Sequence, residues 1–148
     1  MQLPALLSRP IVRALCAAAI LAPAGALAAD LSLSVADGPA ADATLYVALY
    51  SDAAGYADSK PVASQTTPMR EGKARLVFPG LAPGRYALRA FADENGNGKL
   101  DTMMMVPREG YGFSRDAAVR FGPPRFAAAS FAVGNAPARQ TLKVRYIF

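Results

Sequence analysis

Apolar and polar residues alternate with a period of two over most of the chain beyond residue 30. Leu31, Leu33 and Val35 alternate with Ser32 and Ser34, and Leu45, Val47 and Leu49 with Tyr46, Ala48 and Tyr50. Ala74, Leu76 and Phe78 alternate with Lys73, Arg75 and Val77, and Tyr86, Leu88 and Ala90 with Arg85, Ala87 and Arg89. Near the end, Phe131 and Val133 precede Leu142, Val144 and Tyr146, which alternate with Lys143 and Arg145. Successive side chains of a strand point to opposite faces, so this pattern predicts half-buried antiparallel strands. A weaker strand is expected over 62–66. Nothing beyond residue 30 sustains a 3.6-residue period, so helix is expected only as a short segment near 114–119 or 124–129. About seven strands with turn residues every 8–12 positions are the signature of a sandwich or small barrel. The expected fold is all-β: an antiparallel β-sandwich of the immunoglobulin-like kind, with one long ordered loop.

The first residues follow a different pattern. Arg9 and Arg13 precede an apolar run over 14–22, then Pro23 and Gly25, then Ala26-Leu27-Ala28 just ahead of Asp30. A positive region, a short apolar run and a small-x-small triplet are the layout of a secretory signal peptide. The run is too short to span a bilayer comfortably. The reading is a leader over 1–28 and a single sandwich domain over 29–148, delivered to the periplasm or secreted, with no transmembrane span after cleavage. Cys16 follows Arg13-Ala14-Leu15 and lies early in the apolar run, where a lipid-modification signal would place its cysteine at the end. It is therefore expected to leave with the leader. The mature chain then has no disulfide and rests on a packed core, which roughly 120 residues can supply. Losing Arg9 and Arg13 takes sixteen basic residues to fourteen against eleven acidic ones, a net charge of +3. That excess is scattered, without a basic run, so no nucleic-acid partner is expected.

The regular spacing fails over 93–127, a Gly- and Pro-rich stretch too long for an ordinary connection; such loops tend to be functional. It opens with Asp93-Glu94-Asn95-Gly96-Asn97-Gly98-Lys99-Leu100-Asp101. Side-chain oxygens fall at loop positions 1, 3 and 5 (Asp93, Asn95, Asn97), and Gly98 stands at position 6, where the chain must turn. The Lys99 carbonyl takes position 7 and Asp101 position 9. This is most of an EF-hand-type calcium loop: alternate residues on a tight curve aim their oxygens at one centre, and calcium takes six to eight of them. The bidentate carboxylate of position 12 is replaced by Met104, so a further ligand must come from elsewhere, with Glu109 and Asp116 as candidates. Affinity of about 10⁻⁴–10⁻³ M follows from so few charged ligands. The same residues equally suit a bare turn, because Asn-Gly is a strong hairpin signal.

Two resemblances carry further expectations. The segment Leu76-Val77-Phe78-Pro79-Gly80-Leu81-Ala82-Pro83-Gly84-Arg85-Tyr86-Ala87-Leu88 resembles the strand–turn–strand signature of transthyretin-like and Cna-B-like sandwiches. More broadly, Val47-Ala48-Leu49-Tyr50, Pro83-Gly84-Arg85-Tyr86, the 93–101 segment, Glu109-Gly110-Tyr111-Gly112-Phe113-Ser114 and Phe121-Gly122-Pro123-Pro124 resemble the bacterial family called domain of unknown function 2141. That resemblance implies an exported sandwich and no particular activity.

For function, the leading expectation is a non-catalytic module, ligand-binding or envelope-structural, with a glycan or an envelope protein as candidate partner. Its working surface is expected on the long loop at Arg108, Tyr111, Phe113 and Arg115, continued by Arg120, Phe121, Arg125 and Phe126, since Arg and aromatic residues together favour such contacts. The same aromatics could equally pin the loop to the sandwich. An enzyme is disfavoured: the chain has no histidine and its one cysteine is in the leader, which removes the usual general base, the Ser-His-Asp arrangement and a thiol nucleophile. A carboxylate-dependent glycan hydrolase is the alternative, with Glu94 and Glu109 the glutamates of the loop region. An outer-membrane-associated β protein is a third reading, suggested by the terminal Val144-Arg145-Tyr146-Ile147-Phe148. Lys73, Arg75, Lys143 and Arg145 on outward positions argue against it.

Overall fold

The computed structural model describes residues 27–147. The leader expected over 1–28 lies outside the described residues apart from Leu27 and Ala28. The long strands are β1 (Ala29–Ala36), β2 (Ala43–Tyr50), β3 (Ala63–Met69), β4 (Ala74–Leu81) and β5 (Gly84–Asp93), and all but the more polar β3 follow the clean alternation. Short pieces follow: β6 (Thr102–Met103), β7 (Val106–Pro107), β8 (Tyr111–Phe113), β9 (Phe131–Val133), then the longer β10 (Ala138–Lys143). Two short helices, α1 (Ala53–Ala57) and α2 (Phe126–Ala129), and a 3₁₀ turn over Ser114–Asp116 complete the described chain. None of the described helices is long and apolar enough to cross a membrane.

The strands assemble into facing sheets, as the alternation predicts. One has the order β10-β1-β4; the other runs β3-β2-β5-β8, with β9 pairing the start of β5. β6 and β7 form a separate hairpin. Leu31, Leu33 and Val35 of β1, Phe78 of β4 and Leu142 of β10 point inward from the first sheet. They meet Leu45, Val47 and Leu49 of β2, Met69 of β3 and Leu88, Ala90 and Ala92 of β5. Burying apolar area at about 25 cal/mol per Å² makes this interior the main source of stability.

The last strand departs from the antiparallel expectation. β10 pairs β1 in parallel, with Leu31 opposite Ala138 and Val35 opposite Leu142. A parallel partner needs a long crossover, and everything from β2 to β9 supplies it. Strand pattern alone cannot reveal the direction of a neighbour so distant in sequence.

The second departure concerns the outer face of the five-stranded sheet. Tyr50, Tyr56, Ala87 and Ala129 form a separate buried cluster, with Ala48, Phe113, Ala117 and Phe126 packed against it. α1 and α2 supply Tyr56, Phe126 and Ala129. β2 is therefore covered on both faces near its end, which is why Leu45, Val47 and Leu49 alternate with Tyr46, Ala48 and Tyr50 rather than with charged residues. α1 was not expected from the periodicity. Its start is set by Asp52, whose Oδ1 accepts the Gly55 amide at 2.7 Å, an N-cap that satisfies one of the helix's free donors.

Ser114 fastens the cover to the sheet. Its buried hydroxyl accepts the Leu88 amide at 2.9 Å and donates to the Ala129 carbonyl at 2.6 Å. Ser114→Ala leaves both backbone groups buried without partners, and we expect a loss of about 1–3 kcal/mol, read as a lower midpoint in chemical denaturation at unchanged slope.

Candidate functional site

β5 ends at Asp93, and the chain curls over its carboxylate. Oδ1 accepts the amides of Gly96 (2.7 Å) and Asn97 (3.3 Å), and Oδ2 accepts that of Gly98 (2.8 Å). Gly96 and Gly98 have φ of 77° and 73°, in the left-handed region that glycine enters without steric cost. Asn95 Oδ1 accepts the Asn97 amide at 3.0 Å, and Asn97 Oδ1 accepts the Lys99 amide at 2.9 Å. Burial pushes the Asp93 carboxyl up, but the amides of Gly98, Gly96, Asn97 and Asn95 outweigh it and hold the group below the usual carboxylate range. Asp93 is therefore ionised at neutral pH.

Across the curl, Asp101 accepts from the side-chain amides of Asn95 (2.5 Å) and Asn97 (3.0 Å). The side chains of Asp93, Asn95, Asn97 and Asp101 thus share one small loop, with the Lys99 amide tied into it. Met104, at the twelfth loop position, is 93% exposed on the β6–β7 hairpin. Of the two candidate replacements, Glu109 is brought to the loop and Asp116 is not. Glu109, only 5% exposed, accepts the amides of Glu94 and Asp101, each at 3.0 Å, so one carboxylate ties the entry of the loop to its exit. Asp116 instead accepts the Lys143 amide at 3.1 Å. The described residues contain no group of three or more His, Cys, Asp or Glu side chains arranged to hold a metal ion. The curl itself offers the carboxylates of Asp93 and Asp101 and the side-chain amide oxygens of Asn95 and Asn97.

The segment that delivers Glu109 has a reason for each residue. A side chain at Gly110 would collide with Val144 and Tyr146, and one at Gly112 with the Lys143 carbonyl and Leu142. The two glycines let the chain pass flat against the C-terminal residues, where Tyr111 and Arg145 exchange backbone hydrogen bonds at 3.0 and 2.8 Å. The Tyr146 hydroxyl donates to Glu94 at 2.7 Å; burial and the adjacent Glu94 carboxylate push that phenol well above its ordinary value.

The residues expected as a loop surface divide into two sets. Tyr111 is buried, Phe113 is half-buried, and Phe126 packs edge-on to Tyr56 with centroids 5.9 Å apart; these lie against the sheet. Arg108 and Arg115 are exposed, the first with a guanidinium nitrogen 3.6 Å from Met103 Sδ, the second 3.4 Å from the Ser130 carbonyl. Arg120 and Arg125 are exposed, as is Phe121.

Of the aromatics that lie against the sheet, Tyr111 and Phe113 help to line a cleft of about 580 Å³ on its outer face. Cross-strand register builds it. Tyr46 of β2 stands opposite Thr66 of β3 and Phe91 of β5, and Phe91 opposite Tyr111 of β8; one step along, Ser64, Ala48, Arg89 and Phe113 form a second row. Tyr46 and Phe91 stack with centroids 4.9 Å apart and planes within 4°. Leu100, from the end of the 93–101 loop, and Pro123 contribute further walls. Gly98 lies beside the Tyr46 hydroxyl, close enough that a methyl group there would touch it. The loop and the cleft therefore share a wall.

Among the described residues, Arg89 is the single charged one lining this cleft. It is half-buried, its guanidinium carbon 3.8 Å from the Tyr56 ring centre and 5.1 Å from that of Tyr50. One terminal nitrogen donates to the Tyr56 carbonyl at 2.7 Å, the other to Ser59 Oγ at 3.3 Å. Nε and the Tyr56 hydroxyl are buried and find no hydrogen-bond partner among the described residues. Burial pushes the Tyr56 phenol up, and the charge of Arg89 opposes this without cancelling it. The sequence carried one unread signal for the cleft: outward positions of β2 and β5 hold Tyr46, Ala48, Tyr50, Ala87 and Phe91, too apolar for a solvated face.

No curated protein and no solved structure matches the chain significantly. Residues 34–141, the span that holds both the 93–101 loop and the cleft, do match a family, and the chain belongs to it: the bacterial family described as "Uncharacterized protein conserved in bacteria (DUF2141)".

Proposed function

We propose that this protein is an exported, non-catalytic binding module of the cell envelope that holds a small molecule in the cleft on the outer face of its larger sheet. The cleft carries this reading. Its volume is within the 300–1,000 Å³ typical of ligand sites, and its lining of aromatic walls with a few polar groups is the usual composition of such sites. Ser59, Ser64 and Thr66 provide hydrogen-bonding groups at its margin. On this reading the leader over 1–28 is removed and the protein works in the periplasm or outside the cell. Absence of histidine and of any cysteine beyond Cys16 supports a non-catalytic role. So does the use of Glu109, whose two oxygens are taken by backbone amides.

The test is a thermal-shift screen of sugars and small organic molecules against the mature protein and against Ala48→Phe, which fills the cleft floor. Binding by the wild type that Ala48→Phe abolishes supports the module. A screen in which both proteins respond alike defeats it.

The same reading gives the 93–101 loop a calcium ion as a structural cofactor. Asp93, Asn95, Asn97 and Asp101 supply side-chain oxygens and Lys99 its carbonyl, all hard donors suited to calcium. At a dissociation constant of about 10⁻⁴–10⁻³ M, 10 mM calcium stabilises the fold by about 1.4–2.7 kcal/mol through mass action. The melting temperature should rise with calcium and not with equal ionic strength of sodium chloride, and Asp93→Ala with Asp101→Ala should erase the rise. A wild type indifferent to calcium reduces the loop to a turn.

A further inference from the structure

We infer that the ligand of the cleft is a small organic anion with a flat, apolar body, and that Arg89 reads its charge. This rests on the cleft being the binding site. The argument starts from the electrostatics of the wall. Among the described residues no Asp or Glu lines the cleft, and Arg89 takes part in neither ion pair found among them, which join Lys60 to Asp58 and Lys143 to Asp37. Among the described residues its charge is met by a carbonyl, a hydroxyl and two aromatic rings. Those neighbours stabilise a guanidinium without neutralising it.

A ligand entering the cleft strips water from that wall. If the ligand is neutral or cationic, a buried charge is left without a counter-charge, which is costly. If it carries a carboxylate or similar group, the loss of water is offset by a charge-assisted hydrogen bond, roughly twice as strong as a neutral one. A guanidinium has five N–H donors, and the protein engages two of them at its terminal nitrogens. Ser59, which shares Arg89, lies on the same lining and adds a hydroxyl.

The rest of the lining selects the body. Tyr46 and Phe91 stack face to face, and Tyr50, Tyr111, Phe113, Leu100 and Pro123 leave little for a highly hydroxylated molecule to bond. Planar rings gain offset or edge contacts there beyond the area they bury. The combination of one uncompensated cation and aromatic walls fits an aromatic carboxylate better than a sugar.

Calorimetry on the mature protein with three probes of one shape tests this: 1-naphthoate, 1-naphthylmethanol and 1-naphthylmethylammonium. The expected order is anion over alcohol by at least tenfold, with the ammonium weakest. Arg89→Gln should remove that preference, and Arg89→Lys, which keeps the charge, should retain part of it. Because the comparison is made on the wild type, it stands even if Arg89→Gln folds poorly. Equal binding of all three probes overturns the anion inference and leaves the cleft as a binding site. Silence from all three while the screen above yields sugars overturns the inference in favour of a glycan module. Silence from both defeats the binding reading itself. Concentration-dependent dimerisation that blocks the probes would make a second copy of the chain the occupant and also overturn the inference.

Discussion

Phe78→Ala lowers the melting temperature by about 10–20 °C. Phe78 is the largest of the fully buried side chains and stands opposite Leu31 at the centre of the interior between the sheets. Removing a buried phenyl ring costs its transfer free energy plus the cavity left behind, together about 3–5 kcal/mol. The cross-strand neighbour Leu31 lies on β1, which is paired with β10 on one side and β4 on the other, so collapse into the cavity is restricted. In a domain of this length one kcal/mol corresponds to roughly 3–5 °C. Phe78→Leu should lose less than half as much, and the neighbouring exposed Val77→Ala about 0.5 kcal/mol at most. Calorimetry of the three variants checks the order. Equal losses at 77 and 78 would mean the interior lies elsewhere.

Glu109→Ala should cost about 3 kcal/mol and detach the 93–101 loop from its base. The Glu109 carboxylate accepts two backbone amides, those of Glu94 and Asp101, and hydrogen bonds to charged groups are worth about 1.5–3 kcal/mol each. Part of that gain is offset by the cost of burying the carboxylate, which the alanine variant no longer bears. Glu109→Gln is the discriminating variant. An amide side chain has one acceptor end and one donor end, so at least one of the two amides meets a donor. Glutamine should therefore recover less than half of the loss. Hydrogen exchange at the amides of Glu94 and Asp101 reports the effect directly, with both accelerated in Glu109→Ala. A loop that stays protected without this carboxylate would show that Asp93 organises it alone.

The hydrophobic interior was legible because it follows one rule repeated strand after strand. Leu31, Leu33, Val35, Leu45, Val47, Leu49, Phe78, Leu88 and Leu142 all point inward as their alternation requires. The 93–101 segment was legible as a curled loop because Gly96 and Gly98 mark the turns and Asp93, Asn95 and Asn97 the caps. Glu109 could be nominated as a contributor to that loop, but not its use as a strap, since 15 residues separate it from Glu94 and nothing local fixes that approach. The cleft was hidden for another reason. Tyr46, Ala48 and Tyr50 read as the polar side of an alternating strand, although their apolar character signals a second covered face. Arg89 looked like a solvated charge; only register, which places it between Ala48 and Phe113, makes it a wall residue. Short strands such as β8 and β9 carry too few residues to establish any period.

The parallel pairing of β1 with β10 has a consequence for how the molecule comes into being. A polypeptide appearing N-terminus first, as from a ribosome, produces the middle strand of the smaller sheet before either of its flanks. One flank, β4, arrives about forty residues later; the other only when residue 143 is out. Until then Leu31, Leu33 and Val35 sit on a ribbon with one side open, and open strand edges recruit other chains. A chain cut just before Ala138 would thus hold every other long strand and still expose one edge of β1 as an adhesive seam.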